Sequence, residues 1–238
     1  FIKTGLGKRI AYNLISAFGS SSLRLAYALA LSDLILAPAT PSNTARVGGV
    51  IMPITTSLAK AFGSEPQDGP RKIGSFLMQS IYQVNTITSA MFQTSMAGNT
   101  LVAALALQSF GIGITWGDWA MAAIVPGIIA LIIMPYFIYK VYPPEIKDAR
   151  EAQQMIREEL KGLGKISFQE WVMLGVFILA LVLWATSQFT KLDATTVAFL
   201  GISILLATGV LIWDDVKSEK GAWDTLVWMG TLMGFAGF

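Results

Sequence analysis

The sequence predicts an all-α polytopic membrane protein with a re-entrant helical hairpin and a broken transmembrane helix. Of its 238 residues, 54% are hydrophobic and 13% are charged, and the mean hydropathy is +0.59. Soluble domains carry about a quarter charged residues. Residues 73–117 contain no charged residue. Three apolar runs, Trp119–Tyr139, Phe168–Gln188 and Ala194–Trp213, have the ~20 residues needed to cross a ~30 Å hydrocarbon core.

The basic residues indicate the orientation of the spans. All but two of the 17 Lys and Arg residues lie in four segments: residues 1–24, 60–72, 140–165 and 214–222. These segments share one side of the membrane if residues 73–110 cross once and three further spans follow. The positive-inside rule makes that side cytoplasmic. Residues 1–24 are then the end of a span and an interfacial helix.

A polar turn, residues 40–49, separates two apolar runs, Leu25–Ala39 and Val47–Phe62. Each run is short for a span, and both have their outer ends on the cytoplasmic side. The pattern therefore predicts a re-entrant hairpin, residues 25–62, whose tip reaches the membrane interior. Non-helical backbone at that depth is buried in protein or lines a wet cavity, so we expect a cavity at the tip.

The tip carries groups that suit a small anion. Asn43 offers two donors and an acceptor, and Ser42 and Thr44 offer hydroxyls. A helix that begins at Thr44 or Ala45 also presents unpaired N–H groups, which favour a carboxylate, phosphate or sulfate. The alternative is that Ser42 or Asn43 merely caps this helix.

A second interruption lies within residues 73–110, a segment too long for one span. Polar residues and glycine occupy Thr94–Thr100, so we expect a broken helix there. Helix ends that meet at the membrane midplane mark binding sites in secondary transporters, which makes Gly98, Asn99 and Thr100 candidate binding residues. The alternative is a kink packed against a neighbouring helix. The preceding half-helix has a polar side, formed by Gln83, Asn85, Thr86, Thr88, Ser89 and Gln93.

Asp33 and Arg46 are charged residues inside the predicted hairpin. Arg46 follows Ser42 by four residues, which is one helical turn or ~5 Å along the axis. An intramembrane arginine is costly enough to be a functional candidate. One hypothesis is that its charge compensates the charge of the substrate, as sodium does in a symporter. The alternative is that Arg46 pairs with Asp33 and braces the hairpin, and a further hypothesis makes Asp33 a proton carrier.

Two segments resemble the divalent anion/sodium symporter family, and within it the dicarboxylate and tricarboxylate exchangers such as citrate/succinate antiporters and the 2-oxoglutarate/malate translocator. They are residues 30–46, which contain the Ser-Asn-Thr tip, and residues 89–99. Residues 142–147, followed by Glu158-Glu159-Leu160, resemble the same branch. The resemblance implies an inverted-repeat secondary transporter, in which each repeat contributes a hairpin with a Ser-Asn-Thr tip and a broken helix.

The resemblance also implies roles for particular segments and residues. Residues 25–62 and 73–139 belong to a transport domain, which moves like an elevator past scaffold spans in residues 168–238, within a homodimer. Ser42, Asn43 and Thr44 contact a substrate carboxylate. In a sodium-coupled relative, Ser42, Asn43 and a carbonyl near Gly98 also hold sodium.

The resemblance makes this chain a fragment. It has one Ser-Asn-Thr tip, and Met233–Phe238 resemble the point in the second repeat that is equivalent to the start of this chain. We therefore expect half of the binding site here and the other half in the missing C-terminal half of the same protein.

Residues 143–166 form the longest polar segment. Their apolar residues recur at intervals of three or four, which predicts an amphipathic helix at the cytoplasmic interface. Pro143 and Pro144 are expected to start this helix, and Gly162 and Gly164 to end it. The resemblance makes it an arm between the transport and scaffold domains, and the alternative is an ordinary solvated helix.

The composition and the missing motifs exclude several classes of protein. Cysteine and histidine are absent, so no disulfide or thiolate metal site is expected. Without a His-Glu-x-x-His, P-loop or Gly-x-Ser-x-Gly motif we expect no enzyme, no catalytic residue and no cofactor apart from possible sodium. The net charge is +2, with basic residues beside the spans, which does not suit nucleic acid.

The predicted function is secondary transport of di- and tricarboxylates, such as succinate, malate, 2-oxoglutarate or citrate, by anion exchange. The expected location is a bacterial inner membrane or a plastid inner envelope. A sodium-coupled dicarboxylate symporter is the first alternative. A structural membrane subunit or a channel is a more distant one, and sulfate or phosphate stays open as substrate.

Overall fold

The computed structural model describes residues 1–236, which form helices joined by short connections and contain no β-sheet. This confirms the all-α prediction. Residues 37–39 and 93–95 form 3₁₀ turns, and residues 47–51 form a π-helical turn. In chain order the α-helices are α1 (Leu6–Phe18), α2 (Ser22–Leu36), α3 (Asn43–Arg46), α4 (Met52–Ala61), α5 (Gly74–Met91), α6 (Ala97–Phe110), α7 (Trp116–Val141), α8 (Arg150–Gly162), α9 (Phe168–Ala185), α10 (Ser187–Thr190), α11 (Ala194–Ala207), α12 (Trp213–Ser218) and α13 (Lys220–Ala236).

Three segments among the described residues are long and apolar enough to cross a membrane: Ser22–Ala39, Trp116–Val141 and Phe168–Ala185. The last two correspond to predicted spans. The first corrects the sequence analysis, which took the run before the polar turn as too short. It is longer because the Ser21 hydroxyl caps α2 by accepting from the Arg24 N–H, and so the helix begins at Ser22. The re-entrant form of the hairpin stays a prediction.

The predicted span Ala194–Trp213 was too long. Helix α11 ends at Ala207, because Gly209 adopts φ +71° and its N–H bonds to the Leu206 carbonyl. A left-handed glycine after the last turn is a common helix stop. The 14 residues of α11 rise about 21 Å, less than the thickness of the hydrocarbon core.

The expected break between α5 and α6 is present, but it lies at residues 92–96 rather than 94–100. Phe92 and Met96 have extended backbone, with φ/ψ of −127/142° and −152/138°. The Asn99 amide donates to the carbonyls of Ser89 (2.7 Å) and Phe92 (2.9 Å), which the end of α5 leaves without helical partners. Gly98, Asn99 and Thr100 therefore lie in the first turn of α6.

We predict that Asn99→Leu destabilises the protein by about 1–3 kcal/mol, because a side chain of similar size removes both amide hydrogen bonds, so that the carbonyls of Ser89 and Phe92 keep only Ser95 as a donor. The measurement is the melting temperature of the purified full-length protein. Thr86→Val is the matched control, since this exposed hydroxyl bonds only within α5 and its loss should cost under about 0.5 kcal/mol. An equal effect of the two substitutions would contradict the capping role of Asn99.

The polar segment after α7 also differs from its prediction. Helix α8 begins at Arg150, not at the two prolines, because the preceding residues pair with other parts of the backbone. Residues 145–146 donate to the carbonyls of residues 71–72, and residues 147–149 exchange hydrogen bonds with residues 20–22 at 3.0–3.2 Å. The segment thus joins the start of α2 to the start of α5, and α8 then packs along α1.

The buried core falls into one large cluster and several small ones. The large cluster joins α1, α2, α4, α5, α8 and the end of α7. Helices α9 to α11 meet this body through two small clusters, one around Met173 and Leu205 and the other around Trp116 and Trp184. The polar turn and the helix break lie on the side of the second cluster, where Phe92 packs against it.

Candidate functional site

The tip between α2 and α3 is held by local hydrogen bonds. Ser42 has extended backbone, and its hydroxyl accepts from the Ala45 N–H at 3.2 Å. The Asn43 carbonyl oxygen Oδ1 accepts from the Thr44 N–H at 2.8 Å. The helix begins at Asn43, and its start offers fewer free N–H groups than the sequence analysis expected, because side chains already take two of them.

Several donors at the tip remain available to a ligand. Ser42 and Thr44 are exposed, and Asn43 is half-buried. Within residues 1–236, neither the Asn43 amide nitrogen Nδ2 nor the Ser42 hydroxyl donates a hydrogen bond. A carboxylate oxygen accepts from such groups.

Arg46 leaves the tip and turns into the protein. The residue is 1% exposed, and Nε donates to the Asp33 carboxylate at 2.8 Å. Nη1 donates to the carbonyl of Thr40, at the end of the first arm, at 3.2 Å, and to the carbonyl of Ser95, inside the helix break, at 3.3 Å. One guanidinium therefore joins both arms of the predicted hairpin to the break.

The second terminal nitrogen of Arg46 bonds to the polar side of α5. Nη2 donates to Asn85 Oδ1 at 3.0 Å, Ser89 Oγ at 3.1 Å and Thr88 Oγ1 at 3.2 Å. The Thr88 hydroxyl in turn donates to the second oxygen of Asp33. A buried ion pair is tolerated only when such additional hydrogen bonds satisfy both partners, and here they do so.

This arrangement bears on the two hypotheses for Arg46. The pair with Asp33 is the geometry of the bracing alternative. The opposite charges of Asp33 and Arg46 lie close together and form a dipole. Its field at the substrate is weaker than that of a lone arginine charge. Charge compensation of a substrate and proton transfer by Asp33 stay predictions.

The break and the tip are adjacent at a second point. The Thr94 hydroxyl donates to the Pro38 carbonyl at 2.5 Å and accepts from the Trp116 indole N–H at 2.9 Å. By contrast, no hydrogen bond in the described part of the chain joins Gly98, Asn99 or Thr100 to residues 42–44.

The three candidates on α6 differ in their surroundings. Asn99 is buried and its amide caps α5, Thr100 is exposed and bonds to the Ala97 carbonyl, and Gly98 is half-buried. Two open clefts in residues 1–236, one at the corner of α1 and α2 and one beside α8, lie away from the tip. The expected cavity at the tip stays a prediction.

The partners that Arg46 finds on α5 were not predicted from the sequence. Their signal was present, because Asn85, Thr88 and Ser89 have the i, i+3, i+4 spacing that puts side chains on one helix face. The carbonyls of Thr40 and Ser95 had no such signal, since backbone contacts of this range depend on the fold.

Comparison with known families shows which family the chain belongs to. The family described as "Sodium:sulfate symporter transmembrane region" matches residues 1–238. The chain belongs to the divalent anion/sodium symporter family. This confirms the resemblance drawn from the tip and the break. The family consists of membrane transporters, and the chain is accordingly part of an integral membrane protein rather than an enzyme.

Relatives within the divalent anion/sodium symporter family come from bacteria and chloroplasts. YflS of Bacillus subtilis (strain 168), provisionally named a malate transporter, is 53% identical over the whole chain, which covers 50% of YflS. Inner membrane protein YbhI of Escherichia coli (strain K12) is 47% identical, with 99% of the chain and 49% of YbhI aligned. Dicarboxylate transporter 1, chloroplastic, of Spinacia oleracea is 46% identical, with 42% of its length covered. The chain thus spans about half the length of these relatives.

Proposed function

We propose that the protein containing this chain is a secondary transporter that exchanges di- and tricarboxylates across a membrane. The observation that carries this proposal is the Ser42–Thr44 tip, with open donors, held against a helix break by the buried Arg46. The family supplies the transport class, and relatives named as malate and dicarboxylate transporters supply the substrate class.

In this proposal the tip binds one carboxylate of the substrate. The amide of Asn43 and the hydroxyls of Ser42 and Thr44 donate to it, and in this proposal the exposed Thr100 and the backbone at Gly98 contribute from the start of α6. Asn99 acts indirectly, by holding the backbone at the end of α5, because its amide already donates to the carbonyls of Ser89 and Phe92. The other carboxylate is bound by the half of the protein outside this chain.

Arg46 and Asp33 keep the tip and the break in register. This role is supported by the six acceptors around the guanidinium, which come from α2, the tip, α5 and the break. A tip and a break fixed to one another move as one body, which an elevator motion within a homodimer requires.

Exchange is supported by the resemblance of residues 30–46 and 142–147 to the exchanger branch. Sodium-coupled symport is the alternative, in which Ser42, Asn43 and a carbonyl near Gly98 hold sodium. Oxygen ligands of this kind suit a hard cation.

We expect dicarboxylates to stabilise the purified full-length protein in a panel of anions. A ligand that binds the folded state at 100 times its Kd adds about 2.7 kcal/mol to the free energy of unfolding. Succinate, malate, 2-oxoglutarate and citrate should raise the melting temperature, and sulfate and phosphate should not, at equal ionic strength. A shift with sulfate alone would contradict the substrate class, and a shift that appears only with sodium would favour the symporter.

A further inference from the structure

Helices α9 to α11, residues 168–207, meet the body formed by α1 to α8, residues 6–162, at two separate places. Within the described part of the chain, the side-chain hydrogen bonds between the two run from Arg9 to Glu170 and from Gln188 to Asp118. The small apolar clusters lie at the same two places. This contact surface, the seam, thus has a hydrogen bond at each end, and between the ends Phe177 of α9 is buried against Phe1, with ring centroids 5.3 Å apart.

The Arg9 end is a place where the two parts stay joined. Arg9 and Glu170 are both buried, with Nε and Oε1 2.6 Å apart. The same guanidinium donates to the carbonyls of residues 163–165, which connect α8 to α9. Because the chain itself passes through this corner, the contact can persist while α9 changes its angle to α8.

The other end joins residues that are far apart in the chain. The rings of Trp116 and Trp184 stack with centroids 6.2 Å apart and planes 16° apart, and Phe92 also stacks with Trp116, with centroids 5.7 Å apart. Gln188 Nε2 donates to Asp118 Oδ1 at 3.0 Å beside this stack. Stacked aromatic contacts separate without breaking a covalent connection, and here no short segment crosses the seam.

This end also reaches the candidate site. The Trp116 indole donates to Thr94 in the helix break, and Thr94 donates to the Pro38 carbonyl just before the tip. On the far side, the Trp184 indole donates to the Ala194 carbonyl, which ties α9 to the start of α11. A line of contacts thus runs from the tip through Trp116 to the α9–α11 helices.

We propose that the Trp116–Trp184 stack and the Asp118–Gln188 hydrogen bond form a latch, which holds the tip against α9 in this conformation and opens in each transport cycle. The Arg9–Glu170 corner is the end about which it opens. The inference rests on the proposed transport function, because a latch needs a cycle in which to open.

The test is reversible cross-linking in the full-length protein, reconstituted in vesicles. This chain has no cysteine, so D118C/Q188C adds two thiols to it that a short, reducible bis-thiosulfonate can join. We expect cross-linking to lower carboxylate uptake at least tenfold, and a reductant to restore it. Cross-linked protein that transports at the uncross-linked rate would overturn the latch.

The matched control is V176C/G201C, inside the α9–α11 helices. A Cβ on Gly201 would lie 3.3 Å from Val176 Cγ1, so this pair is close enough to join without crossing the seam. Its cross-linked form should keep its activity, and the unsubstituted protein treated with the same reagent controls for thiols elsewhere. Uptake by the uncross-linked variants tests the proposed function separately, so a failed latch is distinguishable from a protein that does not transport carboxylates.

A second pair of variants serves if D118C/Q188C does not reach the membrane. Trp184→Ala removes the stack, and Trp184→Phe retains an aromatic ring against Trp116. We expect W184A to change the maximum exchange rate at least threefold with the half-saturation concentration within twofold, and W184F to stay near the parental rate. Equal maximum rates for the three proteins would overturn the proposal.

Discussion

Replacing Arg46 with glutamine is expected to destabilise the protein by about 3–5 kcal/mol and to abolish carboxylate transport, because it leaves Asp33 as an uncompensated buried charge. The lost guanidinium also releases the tip and break carbonyls of Thr40 and Ser95 that it holds together. The measurements are the melting temperature of the purified full-length protein and succinate uptake into vesicles. Arg46→Lys should rescue only partly, since a lysine has three donors and no planar fork.

The double variant D33N/R46Q separates bracing from charge compensation. Removing both charges eliminates the buried unpaired carboxylate, so we expect it to recover about half or more of the lost stability. If Arg46 is a brace, transport should return in part together with stability. A stable double variant that binds dicarboxylates tenfold or more weakly than the parent would instead show that the charge of Arg46 compensates the charge of the substrate.

Replacing Asn43 with alanine is expected to raise the half-saturation concentration for dicarboxylates at least tenfold with little loss of stability. The amide nitrogen of Asn43 has no partner within residues 1–236, and hydrogen bonds to a charged group contribute about 1.5–3 kcal/mol, or roughly 10- to 100-fold in affinity. The fold should tolerate the change, because the bonds lost with Oδ1 involve only the neighbouring Thr44.

Initial rates of exchange at varied succinate concentration test the role of Asn43. Thr86→Val is the control, a comparable loss of one polar group from the same membrane region at an exposed position of α5. Ser42→Ala should raise the half-saturation concentration less than Asn43→Ala does. It should also lower the free energy of unfolding by about 1 kcal/mol, because the helix cap is lost. An Asn43→Ala protein with a half-saturation concentration within twofold of the parent would remove Asn43 from the site.

The sequence predicts that the helix is broken better than it predicts where the break lies and what holds it. A polar stretch inside a charge-free segment was enough to predict a broken helix, because apolar and polar periodicity are local properties. The position of the break was not, because Asn99 lies in the first turn of α6 and its amide bonds to carbonyls 7 and 10 positions earlier, at the end of α5, which ends at Met91. The partners of Arg46 are up to 49 residues away, and their convergence depends on how α2 packs against α5.

Two causes explain the helix boundaries that were predicted wrongly. One is contact between distant segments, and the other is a local signal that was overlooked. Residues 143–149 looked like a helix start, but the backbone of residues 145–149 bonds to residues 20–22 and 71–72, and the helix begins only at Arg150. The end of α11 at Thr208-Gly209 had a local signal, a glycine within an apolar run. The division into residues 1–24, 25–62, 73–139, 143–166 and 168–238 as separate functional units stays a prediction.

Uptake of labelled succinate into vesicles of the full-length protein tests the central claim most directly. Vesicles are preloaded with dicarboxylate or left empty, each with and without sodium. We predict uptake into loaded vesicles only, at a rate that sodium does not change. Sodium-driven uptake into empty vesicles would contradict exchange and make the protein a symporter, and no saturable uptake under any of the four conditions would contradict carboxylate transport itself.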